Sequence, residues 1–120
     1  MDTKTTVSTL REKVARFRDD RDWLKFHNPK DLSIGLSVES SELQELFLWK
    51  DVESVKKMLE DKWQLQRVRE EIADVFIYLL GLVDVLDIDL SDAVAQKLAL
   101  NAKKYPVSKS KGSNKKYDEL

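Results

Sequence analysis

Two acidic pairs sit where solubility alone would not put them. In the stretch from Pro29 to Trp49, PKDLSIGLSVESSELQELFLW, a helical turn of about 100° per residue gathers Leu36, Leu43 and Phe47 into one stripe, with Leu46 alongside. Glu39 falls inside that stripe, between Leu46 and Leu43, and Glu42 lies at its edge, whereas Glu45 takes the opposite side. Burying an ionised carboxylate with no partner costs several kcal/mol, so a compensating group is expected. Further along, REEIAD holds Glu71 and Asp74 three residues apart, with Tyr78 one turn on, and Glu71 borders Val75 and Leu82 on the wheel. One such pair is an ordinary helix edge; two, both against apolar stripes, are a metal-site pattern. If the helices pack antiparallel, four carboxylates converge and cannot all stay ionised without cations. An all-oxygen donor set suits Mg²⁺ or Mn²⁺, and Mg²⁺ typically keeps waters and takes substrate phosphates as ligands.

The scaffold that must position these acids is helical. Three glycines and two prolines in 120 residues leave long charged stretches with helical periodicity, which predicts an all-α protein. A hydrophobic content of 42% marks a globular chain, and 21 basic against 22 acidic residues give no global field for a nucleic-acid polymer or a membrane surface. There is no cysteine, and His27 is the single histidine, which excludes thiolate sites and the Glu-x-x-His pairs of di-iron bundles. The start, MDTKTTVSTLREK, lacks the apolar core of a signal peptide, and a cytoplasmic location is expected. Residues 1–106 are read as one helical domain and 107–120 as a basic, flexible tail.

Four helices are expected. The first begins around Thr6 to Thr9, with Thr9 and Glu12 as a capping box, and carries Leu10, Val14, Phe17 and Leu24 on one face. Arg21, in the same series, is either a snorkelling side chain or a cation held near acids or phosphates. Trp23, Phe26 and His27 crowd the connection RDWLKFHNP, either sealing a bundle end or contributing to a site. Asn28 and Pro29 open the second helix. From Asp51 the chain either forms a short helix to about Glu60 or runs on into the third, placed at Gln64 to Leu86. The stripe of that third helix is Leu65, Val68, Ile72, Phe76, Leu79 and Val83, and its sideways extension through Phe76, Ile77 and Leu80 predicts a subunit interface. The fourth helix follows an Asp89 cap, with Lys97, Asn101 and Lys104 as a polar row, and ends at Pro106.

Taken together, RDW at 21–23, FHNP at 26–29, ESSEL at 39–43, FLW at 47–49, EEIADVFIYL at 70–79 and NAKKYP at 101–106 resemble the MazG-like all-α nucleoside triphosphate pyrophosphohydrolases, most nearly the branch acting on dCTP. The resemblance implies a four-helix bundle assembled between subunits as a dimer or dimer of dimers. It also implies hydrolysis between the α- and β-phosphates, giving a monophosphate and pyrophosphate. By motif, Glu39, Glu42, Glu71 and Asp74 would hold Mg²⁺. Lys97, Asn101, Lys104 and Tyr105 match the family's phosphate- and sugar-contacting end of the last helix, and Trp23, Phe26, His27, Trp49 and Tyr78 are candidates for enclosing the base. The substrate expected first is dCTP or a modified cytosine deoxynucleotide, removed to clean the nucleotide pool. The rival readings are a dUTP or broad-range enzyme and, from another class, a non-catalytic helical oligomerisation or nucleotide-binding module. Val38 departs from the pattern where many of these sequences carry a further glutamate.

Overall fold

The computed structural model describes all residues, 1–120, and is entirely helical. Its α-helices are α1 (Val7–Asp19), α2 (Pro29–Glu45), α3 (Val52–Glu60), α4 (Lys62–Val85), α5 (Leu90–Lys104) and a one-turn α6 (Val107–Ser110), with 3-10 turns at Leu24–Phe26 and Tyr117–Glu119. They form two compact units, Met1–Asp87 and Ile88–Leu120.

Side-chain caps begin five of the helices. Asn28 accepts from the Asp31 amide at 2.9 Å, with Pro29 in the first turn as expected. Asp51 and Asp89 accept from the amides of Ser54 and Asp92. Helix α1 differs from expectation: its cap is Thr6, which accepts from the Thr9 amide at 3.0 Å, so Thr9 lies inside the helix. The ambiguous segment resolves into a short helix and a break. Asp61 ends α3 in extended geometry and at once caps α4 through the amides of Trp63 and Gln64. A residue that closes one helix and opens the next cannot be seen from periodicity, because both helices carry apolar residues on either side of it.

In the first unit, α4 is the hub against which α1, α2 and α3 pack. The register of α2 on α4 follows from paired residues. Leu32 meets Gly81, the space over Gly35 is filled by the Tyr78 ring, and Glu39 approaches Glu71. Numbers rise along α2 as they fall along α4, so the two helices run antiparallel. The core is small: Leu32, Met58, Val68, Leu80 and Val83. Leu80, read from sequence as part of an outward flank, is the most deeply buried side chain at 2% exposure, and Gly81 beside it rests on Leu32. Conversely Leu65, Ile72, Phe76 and Ile77 remain at least a third exposed in the single chain.

An ion-pair cluster fastens α1 to α4. Arg18, almost wholly buried, donates to Asp84 Oδ2 at 2.7 Å and to Asp19 at 2.8 Å, and Arg11 donates to Asp84 Oδ1 at 2.8 Å. Arg11 also reaches Asp87 at 3.3 Å. Burial by itself would push the Asp84 carboxyl up, but its hydrogen bonds and charge contacts with Arg11 and Arg18 hold it below the usual carboxylate range. Sequence reasoning weighed Arg21 and passed over Arg18. The signal was present in Asp84, an acid set among Leu82, Val83 and Val85 in the most apolar helix.

In the second unit, α5 ends at Tyr105, whose amide bonds the Asn101 carbonyl at 2.8 Å before Pro106 stops the helix. Residues beyond it fold back locally: the Tyr117 ring meets Tyr105 edge-on at 6.2 Å, and Lys104 Nζ lies 4.9 Å from its centre.

Candidate metal centre

The antiparallel register of α2 and α4 makes the acid cluster. Glu39 and Glu42 occupy one turn of α2, and Glu71 faces them from α4. Carboxylate oxygens from these three residues all lie within 4.8 Å of one another. Asp74 stands outside that tight trio, although its charge acts on both Glu39 and Glu71. Glu39 and Glu71 are half-buried and Glu42 is exposed, so the cluster opens to water on one side.

The electrostatics are those of carboxylates crowded together with little opposing charge. Burial, then hydrogen bonding to and repulsion from Glu42, with the charges of Asp74 and Glu71, push the Glu39 carboxyl up to about 7. Glu71 is raised by the same kinds of cause, burial first and then Glu42 and Asp74, against a weaker opposing pull from Arg67. One oxygen of each, Oε2 of Glu39 and of Glu71, is buried without any hydrogen-bond partner. Buried polar atoms are nearly always satisfied, so two orphan carboxylate oxygens in one cluster call for a ligand that accepts electron pairs. A hard divalent cation fits this donor set: oxygens only, from carboxylates, with one side open for waters or phosphate.

Among the aromatic candidates, the structure brings together Trp23 and His27, with ring centres 6.3 Å apart, and adds Phe17, edge-on to Trp23 at 5.9 Å. Arg21 lies over the Phe17 ring, 3.6 Å from its centre, and donates to the Phe17 carbonyl, which engages it locally. Phe26 and Trp49 make no ring contact with this group; Phe26 has Lys25 over it, and Trp49 is 94% exposed. Tyr78 is held at the α2–α4 seam by Gly35. A Cβ at residue 35 would fall on the Tyr78 ring, its Cδ1 2.7 Å away, so only glycine lets the ring lie there. Gly35→Ala must therefore displace the ring or part the helices, one turn from Glu39. Overpacking of this kind costs about 1–3 kcal/mol. Urea denaturation should register the loss, and Gly35→Ala combined with Tyr78→Leu should recover most of it; an unchanged midpoint in Gly35→Ala would contradict the close contact.

Lys97, Asn101, Lys104 and Tyr105 all lie on or at the end of α5, in the second unit, with Asn101 half-buried and the other three exposed. Three residues near the acids went unnoticed in the sequence. Lys50, Gln64 and Arg67 line a groove of about 500 Å³ together with Glu42 and Glu71. No motif announces them; only the register of α2 on α4 brings Lys50 and Arg67 to one place.

Comparison with known proteins bears on this geometry. Residues 34–120 match the model of the MazG-like family. The chain is 40% identical over 116 residues to dCTP pyrophosphatase 1 of Rattus norvegicus, covering 96% of this chain and 68% of that protein. It is 36% identical over 115 residues to dCTP pyrophosphatase 1 of Homo sapiens, with the same coverage. Among solved structures, a pyrophosphatase from Archaeoglobus fulgidus superposes with a TM-score of 0.77 at 43% identity, covering 82% of this chain and 91% of that one.

Proposed function

The chain belongs to the MazG-like family and is a nucleoside triphosphate pyrophosphohydrolase; from that premise we propose that it hydrolyses dCTP, or a modified cytosine deoxynucleotide, to the monophosphate and pyrophosphate with Mg²⁺. The observation that carries the metal part is the trio Glu39, Glu42 and Glu71, with two buried oxygens lacking partners. The names and identity of the curated relatives support the cytosine preference.

Glu39, Glu42 and Glu71, with Asp74 beside them, are the residues we assign to hold Mg²⁺, or Mn²⁺ in its place. When bound, such an ion neutralises triphosphate oxygens and lowers the pKa of a coordinated water to make a nucleophile. The remaining work falls to the chain. Glu42, the most open of the three glutamates, accepts the proton of the attacking water. Lys97, Asn101, Lys104 and Tyr105 contact phosphate and sugar, and Trp23, Phe26, His27, Trp49 and Tyr78 enclose the base by stacking and edge hydrogen bonds. Exposed Ile72, Phe76 and Ile77 support a homo-oligomer, a dimer or dimer of dimers, in which a second copy covers them. No helix is long and apolar enough to cross a membrane, and we assign the enzyme to cytoplasmic nucleotide-pool cleaning.

Pyrophosphate release from a panel of dNTPs and NTPs, with and without Mg²⁺, tests the reading. Metal-dependent release that is greatest for dCTP is expected. A maximum at another base, such as uracil, removes the cytosine assignment and keeps the chemistry; no release from any nucleotide leaves a binding module.

The elevated Glu39 carboxyl adds a pH signature. A carboxyl whose folded pKa is about 7, above its ordinary 4.5, binds its proton more tightly in the folded state. Its contribution to the metal-free fold is therefore complete at acid pH and is lost as pH rises from about 4.5 through 7. Mg²⁺ must displace that proton, so stabilisation by Mg²⁺ should grow over the same interval. Thermal melts at a series of pH values, with Mg²⁺ or with a chelator, read both slopes; parallel curves would show that Glu39 is not a ligand.

A further inference from the structure

Two cations line the groove beside the acid cluster. Lys50 follows the turn that ends α2, and Arg67 stands one helical turn before Glu71 on α4; both line the roughly 500 Å³ groove that Glu42 and Glu71 also line. Neither closes an ion pair with the acids beside it, although seven such pairs form elsewhere in the chain. A base four residues ahead of an acid on a helix is the weaker orientation for pairing. Arg67 is drawn instead over the Trp63 ring, with its guanidinium carbon 5.1 Å from the ring centre. Arg67 thus closes no ion pair with Glu71, although its charge still acts on that carboxylate, and its planar fork stands in the groove within reach of another acceptor.

A triphosphate presents its α- and β-phosphates at the bond to be cut and leaves the terminal phosphate further out. A groove lined by acids alone would repel that end. Lys50 and Arg67 on the same wall offset most of the charge of the three lining glutamates, Glu42, Glu45 and Glu71, and a guanidinium grips phosphate oxygens in bidentate fashion. We propose that Lys50 and Arg67 bind the pyrophosphate end of the substrate, holding the distal phosphates before cleavage and the pyrophosphate after it. This rests on the pyrophosphohydrolase reading and adds to it two substrate-binding residues outside the α5 set.

Product inhibition separates this role from a structural one. In Lys50→Gln and Arg67→Gln, the inhibition constant of pyrophosphate should rise roughly tenfold or more, the loss expected for a charge-assisted contact. The constant for the nucleoside monophosphate should stay as in the wild type, and Arg67→Lys should recover part of the pyrophosphate affinity. Calorimetric titration of pyrophosphate in Mg²⁺ should give the same shift with no turnover involved. Unchanged pyrophosphate affinity in both glutamine variants of an active enzyme overturns this inference alone, as does an equal fall for both products. A wild-type protein that releases no pyrophosphate from any nucleotide overturns the reading beneath it, and the inference with it.

Discussion

Glu39→Gln should lose more than about a hundredfold in turnover while melting no lower than the wild type in the absence of metal. Outer-shell substitutions at metal sites already cost about 10- to 100-fold, and a residue that supplies a ligand oxygen stands closer to the chemistry than those. The stability half of the expectation comes from the same carboxyl. Glu39 is half-buried beside two other carboxylates, has an oxygen with no partner, and holds its proton up to about pH 7. Glutamine keeps the shape and removes the charge, so above neutral pH the metal-free variant should be the more stable of the two. Mg²⁺ should then raise the melting temperature of the wild type and not of the variant. Steady-state kinetics and paired melts decide the matter. Full turnover in Glu39→Gln would remove the metal assignment, and a collapsed fold would make Glu39 structural instead.

The largest stability effect should come from Asp84→Ala, far in sequence from any catalytic motif. Asp84 receives both Arg11 and Arg18, and Arg18 keeps only a 7% exposed surface. Removing the acceptor leaves Arg18 with Asp19 as its sole carboxylate. Breaking a buried ion pair typically costs about 3–5 kcal/mol; since Asp19 still faces Arg18 and a quarter of the Asp84 side chain reaches solvent, the lower end, about 3 kcal/mol, is expected. For a domain of this size that is a fall of about 10 °C in Tm. The wild-type clamp also carries a pH dependence opposite to that of Glu39. The depressed Asp84 pKa contributes stability that is complete above its unfolded value, near 3.8, and is lost as pH falls through the lower folded value. Chemical denaturation would measure the cost, and the double variant Arg18→Met with Asp84→Leu, which removes the buried charge together with its acceptor, should recover much of it. A single variant as stable as the wild type would mean that α1 is held to α4 by apolar contact alone.

Both carboxylates were legible to different degrees, and the reason is physical. Glu39 and Glu71 announced themselves because an acid on an apolar stripe breaks the helical pattern, and the pattern is local in sequence. Asp51, Asp89 and Asn28 were legible as caps for a similar reason, since a cap and the amide it satisfies are three residues apart. The Arg18–Asp84 pair spans 66 residues, and nothing local says which arginine finds which aspartate. Leu80 shows the other limit. The wheel of α4 is apolar around most of its girth, so periodicity alone could not say which flank faces α2 and which stays open. The short contact at Gly35 and the burial of Gly81 settle it by fixing where α2 can approach. Lys50 and Arg67 were illegible as a pair until that register was known.

The turn after α2 places an indole where the backbone favours glycine. Trp49 has a φ of 63°, in the left-handed region, and 94% of its surface is in water. For an L residue that geometry costs about 1–2 kcal/mol, and here no apolar packing offsets it within the chain. Selection for heat tolerance alone would exchange this residue early, because glycine relaxes the turn at no loss of core. Yet we have proposed Trp49 as one of the side chains that enclose the nucleobase, and on that proposal thermostability and substrate discrimination pull this one position in opposite directions.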